Sequence, residues 1–168
     1  MKNTLMFNLK PVCQDINKAG EKSSFFLRSH GFSDDTVQVQ IQILTGLIKN
    51  GIKYAKFTSS ANEITVRLRV DKNNYTIEVM NPVDETCSDR LKELDKTIQF
   101  IRGYQDPYEA YSIKMAEIAA HRSDAAANDL GLVKIACEGG AILDFFVSED
   151  NFLNLSAVGN FDGDHRIQ

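Results

Sequence analysis

The stretch Gln42–Phe57, QILTGLIKNGIKYAKF, decides how the rest of the chain is read. With the residues just before it, Val37, Ile41, Leu44, Ile48 and Ile52 recur at intervals of three and four, so they share one face of an α-helix. Gly46, Lys49, Asn50 and Lys53 share the other side. An asparagine beside an apolar face needs partners, because an unsatisfied buried amide costs roughly 1–3 kcal/mol. The polar side is therefore either a solvated face with one satisfied amide or the lining of a ligand site.

Working outward, Phe32-Ser33-Asp34-Asp35 supplies a turn with N-cap residues for this helix, and Gly31 closes the one before it. That earlier helix, Pro11–His30, carries Val12, Ile16, Ala19, Phe26 and Leu27 and is opened by proline. Thr4–Leu9 reads as a short first strand. On the other side, Glu63–Val70 and Tyr75–Met80 alternate apolar and polar residues and are joined by a turn at Asp71–Asn74, a hairpin that Asn81-Pro82 ends. Glu85–Gly103 and Asp106–His121 follow as an amphipathic helical pair. Arg122–Asn128 reads as a loop and Leu130–Ala136 as a short apolar segment of one or two helical turns. Ala141–Val147 and Phe152–Val158 form a second hairpin around Ser148–Asn151. The order β-α-α-β-β-α-α-β-β, with strands in hairpins, predicts an α+β two-layer sandwich of helices on a mainly antiparallel mixed sheet, with an extra helical pair at 85–121. Residues 1–158 form one domain, and 159–168 read as a polar tail.

Composition narrows the function. The chain has 168 residues, 43% hydrophobic and 25% charged, with net charge −4, which gives no argument for nucleic acid or an anionic membrane as partner. No apolar run has the length of a signal peptide or a membrane span, so a cytoplasmic location is expected. Cys13, Cys87 and Cys137, like His30, His121 and His165, are scattered without metal-ligand spacing. NFDGDHR at 160–166 lacks the spacing and closing glutamate of a calcium loop.

The order of elements, together with LIKNGIKYAKF, ITVRLRV, YTIEVMN and DLGLVKIA, resembles the histidine-kinase-type (GHKL, or Bergerat-fold) ATPases. Among these it is similar to the compact anti-sigma-factor serine kinases and, through its extra helical pair, to the SiaB-type regulators. The likeness covers about residues 4–158, and only the segments around Asn50 and Gly131 are motif-specific. It implies a nucleotide site in which Asn50 holds Mg²⁺ against the triphosphate and Lys53 reaches phosphate. In the same site, Asn81 stands where an aspartate accepts from adenine, and Gly131 belongs to a glycine-rich phosphate cradle. The departures are as specific as the matches. The glutamate that orients the nucleophile, four residues before Asn50, is Gly46, and glycine has no group for that work. Asn81-Pro82-Val83-Asp84 lacks the family's aspartate and glycines, and Asp129 replaces the first glycine of the cradle.

The resemblance thus implies a bacterial signalling regulator that binds a protein partner through a degenerate ATPase domain, with no catalytic residue assigned and no cofactor required. By the same resemblance, the partner is a STAS-like antagonist, a SiaC-like protein, a sigma factor or a response-regulator output module, and homodimers occur. The alternative is an active ATP- and Mg²⁺-dependent protein serine/threonine kinase, in which Asp84 or Asp129 replaces the missing glutamate. Tyr104, Tyr108 and Tyr111, around Asp106-Pro107, are either anchors for a partner or the inner face of a packed helical pair.

Overall fold

The computed structural model describes residues 3–121 and 124–161, with the side chains of residues 121 and 124–129 left aside. Its elements are β1 (Thr4–Leu9), α1 (Cys13–Ser29), α2 (Asp34–Tyr54), β2 (Ile64–Asp71), β3 (Asn74–Pro82), α3 (Ser88–Arg102), α4 (Pro107–His121), α5 (Asp124–Gly139), β4 (Ile142–Val147) and β5 (Phe152–Asn160). A single 3-10 turn, Glu85–Cys87, leads into α3.

Alternation along the strands makes the sheet. Ile64, Val66, Leu68 and Val70 of β2 and Tyr75, Ile77, Val79 and Asn81 of β3 are buried, while the residues between them point the other way. The strand order is β1-β2-β3-β5-β4, and every neighbouring pair is antiparallel. The expected mixed sheet is thus wholly antiparallel, and its α+β two-layer form stands. The inner face packs on the helices. The outer face carries the Arg67–Glu78 ion pair (3.2 Å) and exposed Met6, Ile142 and Phe146.

Ser33 caps α2 by accepting from the Thr36 amide at 3.3 Å, with Asp34 and Asp35 in the first turn favoured by the helix dipole. Gly31, at φ 81°, closes α1 in the left-handed conformation that glycine adopts without strain. α2 is the central helix. Val37, Leu44, Leu47, Ile48, Gly51 and Tyr54 face the core, and Ile41 and Ile52 of the expected apolar face are only half-buried. One side of α2 meets α1, another meets α5, and its inner face meets β3 and β5.

Three segments differ from expectation. Residues 124–139 form one continuous helix, not a loop followed by a short apolar segment. Its apolar positions Leu132, Val133, Ile135 and Ala136 are all buried, so tertiary burial sustains a helix that its first half, which has no apolar stripe, did not announce. Asn81-Pro82 ends the second strand from inside it, as its last two residues, paired with Leu153 and Phe152. Strand β5 also runs past residue 158. Asn160 pairs with Asn74, and Phe161 is buried in a stack on Phe32 with ring centroids 3.9 Å apart. The remainder of the expected tail, residues 162–168, lies outside the described residues.

Candidate functional site

The polar side of α2 is met by α5, and glycines set how close the two helices come. A Cβ added at Gly46 would lie 2.4 Å from Ile135 Cδ1 and 2.9 Å from its Cγ1. One added at Gly139 would lie 2.5 Å from Ile43 Cδ1. Each isoleucine seats in the hollow left by a glycine on the facing helix, as close ridge-and-groove packing demands. The position where the resemblance expects a glutamate is therefore covered by an α5 side chain.

Asn50 is buried on the same flank. Its Nδ2 donates to the Gly46 carbonyl at 2.9 Å, one turn back along the helix, and a Cβ at Gly131 would lie 3.4 Å from that nitrogen. The structure thus brings Asn50 and Gly131 together across the α2–α5 contact. Gly131, however, is the eighth residue of α5. Only the first four amides of a helix are left without an intrahelical partner, so the Gly131 amide is not among those free to cradle a phosphate.

Asn81 lies deeper, at the end of β3 and fully buried. Its Nδ2 donates to the Gly51 carbonyl at 2.7 Å, tying the sheet to the last turn of α2. Its Oδ1 is buried without a partner, and a Cβ at Gly51 would come within 2.6 Å of it. Gly51, next to Asn50, is thus required for that close approach. Lys53 is exposed, with its ammonium 5.0 Å from the centre of the Tyr54 ring and its carbonyl accepting from Arg90 at 3.1 Å.

Of the two carboxylates considered as a substitute for the glutamate, the one described, Asp84, is not assembled with this group. Asp84 is exposed and caps the 3-10 turn, accepting from the Thr86 amide at 2.9 Å. The Thr86 hydroxyl bond holds its carboxyl below the usual range, with Lys56 adding to the effect. The Asp129 side chain lies outside the described residues. Among the described residues no three His, Cys, Asp or Glu side chains gather as a metal site would require. Mg²⁺ with a triphosphate needs several oxygen ligands and free backbone donors. With Gly46 covered and the Gly131 amide inside a helix, the residues present do not fit that group as they are arranged.

The three tyrosines divide. Tyr104 packs edge-on to Phe100 at 5.3 Å between centroids, and Tyr111 is half-buried against the core. Tyr108, 63% exposed, is alone of the three in facing solvent.

The sequence reading missed a groove beside α5. A hollow of about 710 Å³ runs between α2 and α5, with Ile41, Ile43 and Ile135 on its floor and Lys49, Lys134 and Glu138 at its rim. A signal was present, since Val39, Ile41 and Ile43 leave more apolar surface on α2 than one buried stripe needs. Among the described residues no helix is long and apolar enough to cross a membrane.

No family model matches this chain, and no curated protein matches it. Among solved structures it is similar to a chain in the crystal structure of the SiaB–SiaC complex from Pseudomonas aeruginosa. The TM-score is 0.65 at 22% sequence identity, over 92% of this chain and 88% of that one, a likeness of fold.

Proposed function

We propose that this chain is a signalling regulator of the SiaB type, which acts by binding a SiaC-like protein partner through a Bergerat-type domain that no longer turns over ATP. On this reading it works in the bacterial cytoplasm and needs no cofactor. The observation that carries it is Ile135 seated on Gly46, which fills the catalytic position with a packing contact. The similar fold found in a two-protein complex supports a protein as the ligand.

The test is titration of the purified chain with the SiaC-like protein of its source genome, with a STAS-like protein, a sigma factor and a response-regulator module as comparators. Saturable binding without ATP, and no transfer of label from γ-labelled ATP to the bound protein, is the expected result. A second reading, an ATP-dependent serine/threonine kinase, draws on the Asn50–Gly131 juxtaposition. It requires α5 to give way to nucleotide, with Asn50, Lys53, Asn81 and Gly131 as contacts. Millimolar ATP with Mg²⁺ would then stabilise the fold by roughly 2.7 kcal/mol at a hundred times its dissociation constant. Such a stabilisation together with labelled partner would overturn the proposal.

A further inference from the structure

The α2–α5 groove continues past α2. A second hollow of about 550 Å³ lies between α1 and α2, lined by Ile16, Gly20 and Phe25, and it shares Ile41 and Thr45 with the first. The two form one trough crossing the solvent side of α2. Phe25 stands at its α1 end, 78% exposed. A large aromatic side chain left in water beside an apolar hollow can serve as an interface anchor.

The walls decide what can lie there. All three are helices, whose interior amides and carbonyls are spent on their own turns, so a strand finds no ladder to join. Gly20, Ser24 and Thr45 keep the α1–α2 half of the trough shallow-walled. Small residues of that kind admit a helix at the 8–10 Å axial spacing typical of helix packing. Charge sets the direction. At the α5 end, Lys49 and Lys134 stand against one carboxylate, Glu138, which is 3.7 Å from Lys134. That leaves a local positive surplus on a chain of net charge −4.

From this we infer that the trough is the partner-docking surface and that its occupant is an amphipathic helix of the partner protein. Its apolar ridge packs on Ile41 and Phe25, and its acidic flank faces Lys49 and Lys134. The inference rests on the partner-binding reading above and gives that reading a surface and a ligand chemistry.

The test uses the whole chain and the SiaC-like protein of its source genome. Phe25→Ala and the double variant Lys49→Glu/Lys134→Glu should each weaken binding by roughly tenfold or more. Their melting temperatures should stay near wild type, since all three side chains are exposed. Phe146→Ala, on the outer face of the sheet, should leave affinity unchanged. Hydrogen exchange on the partner should show protection in one helix bearing Asp or Glu. Wild-type affinity in both trough variants overturns the inference while leaving the partner reading intact, as does protection of a strand. No binding by the wild-type chain overturns both.

Discussion

Gly46→Ala is the smallest change that tests whether α5 seats on α2 as described. In an exposed helix interior the substitution would gain about 1 kcal/mol, because glycine is the costlier residue there. Here the new methyl would meet Ile135 Cδ1 at 2.4 Å and Cγ1 at 2.9 Å. Cδ1 is the mobile end of its side chain and borders the groove, but Cγ1 also stands at 2.9 Å, so turning Cδ1 away relieves only part of the clash. Overpacking of this kind costs about 1–3 kcal/mol, so the net effect is a loss of up to about 2 kcal/mol. That corresponds to a fall in melting temperature of about 2–4 °C per kcal/mol for a chain of this size. Ile135→Val removes the worse contact and costs about 0.5–1.5 kcal/mol alone. Combined with Gly46→Ala it should cost less than the sum, by an interaction energy near ~1 kcal/mol. Urea unfolding of the four proteins measures all of these terms, provided the denaturant slope is unchanged. If Gly46→Ala raises stability by the full helix-propensity gain, and the two changes add without interaction, Ile135 does not rest on Gly46. The proposed covering of the expected glutamate position then fails with it.

Further predictions come from other buried contacts. Asn81→Asp replaces the Nδ2 that donates to Gly51 and puts a carboxyl where no partner meets Oδ1. Burial raises that carboxyl's pKa in the folded state, so stability is retained below the unfolded value near ~3.9 and lost as pH rises. Unfolding at pH 4 and pH 8 should therefore diverge in this variant, and equal losses would exclude a buried, unpaired Oδ1. Burial also raises the Tyr75 pKa above 10.0, with the Gln40 side chain working the other way. Tyr75 then contributes stability that is full below pH 10.0 and lost above it. Tyr75→Phe, which removes the 3.2 Å bond to the Gly139 carbonyl, should cost about 0.5–1.5 kcal/mol at pH 7 and lessen the alkaline loss. An unaltered alkaline profile would assign that loss to other groups. Arg102 donates to the Leu143 carbonyl at 3.1 Å and pairs with Asp144 at 3.0 Å, while Asp144 accepts from the Phe145 amide at 2.8 Å. These contacts occupy backbone groups of an edge strand. Arg102→Ala should promote concentration-dependent self-association, visible by light scattering, and an unchanged mass would show that the edge needs no guard.

Much of the fold was legible because its signals are local. Alternation in β2 and β3, the cap at Ser33, the glycine at position 31 and the hairpin turns each act within a few residues, and each placed an element to within a few positions. The first half of α5 was not legible. Asp124–Asp129 has no apolar stripe of its own, and the helix is completed by burial of Leu132, Val133, Ile135 and Ala136 against α2, α3 and α4, a long-range effect that no window of sequence contains. The end of β3 was legible to within two residues. Pro82 does close the strand, but as its last residue, paired with Phe152 at the start of β5.

The candidate site shows the limit more sharply. The resemblance to the Bergerat-fold ATPases would cast Gly46 and Asn81 as losses, a missing glutamate and a missing aspartate. In the structure each is matched by its neighbour: Ile135 fits only against a glycine at 46, and the amide of Asn81 reaches the Gly51 carbonyl only because residue 51 has no side chain. An eroded site left without function would be expected to collect substitutions that are merely tolerated. These two instead make specific contacts, one joining α2 to α5 and the other joining α2 to the sheet. Introducing both residues that the resemblance expects, by Gly46→Glu with Asn81→Asp, should therefore not confer catalysis. It should break the two contacts that hold the central helix. A double variant that folds with wild-type stability and transfers phosphate from ATP would show that α5 yields to nucleotide after all.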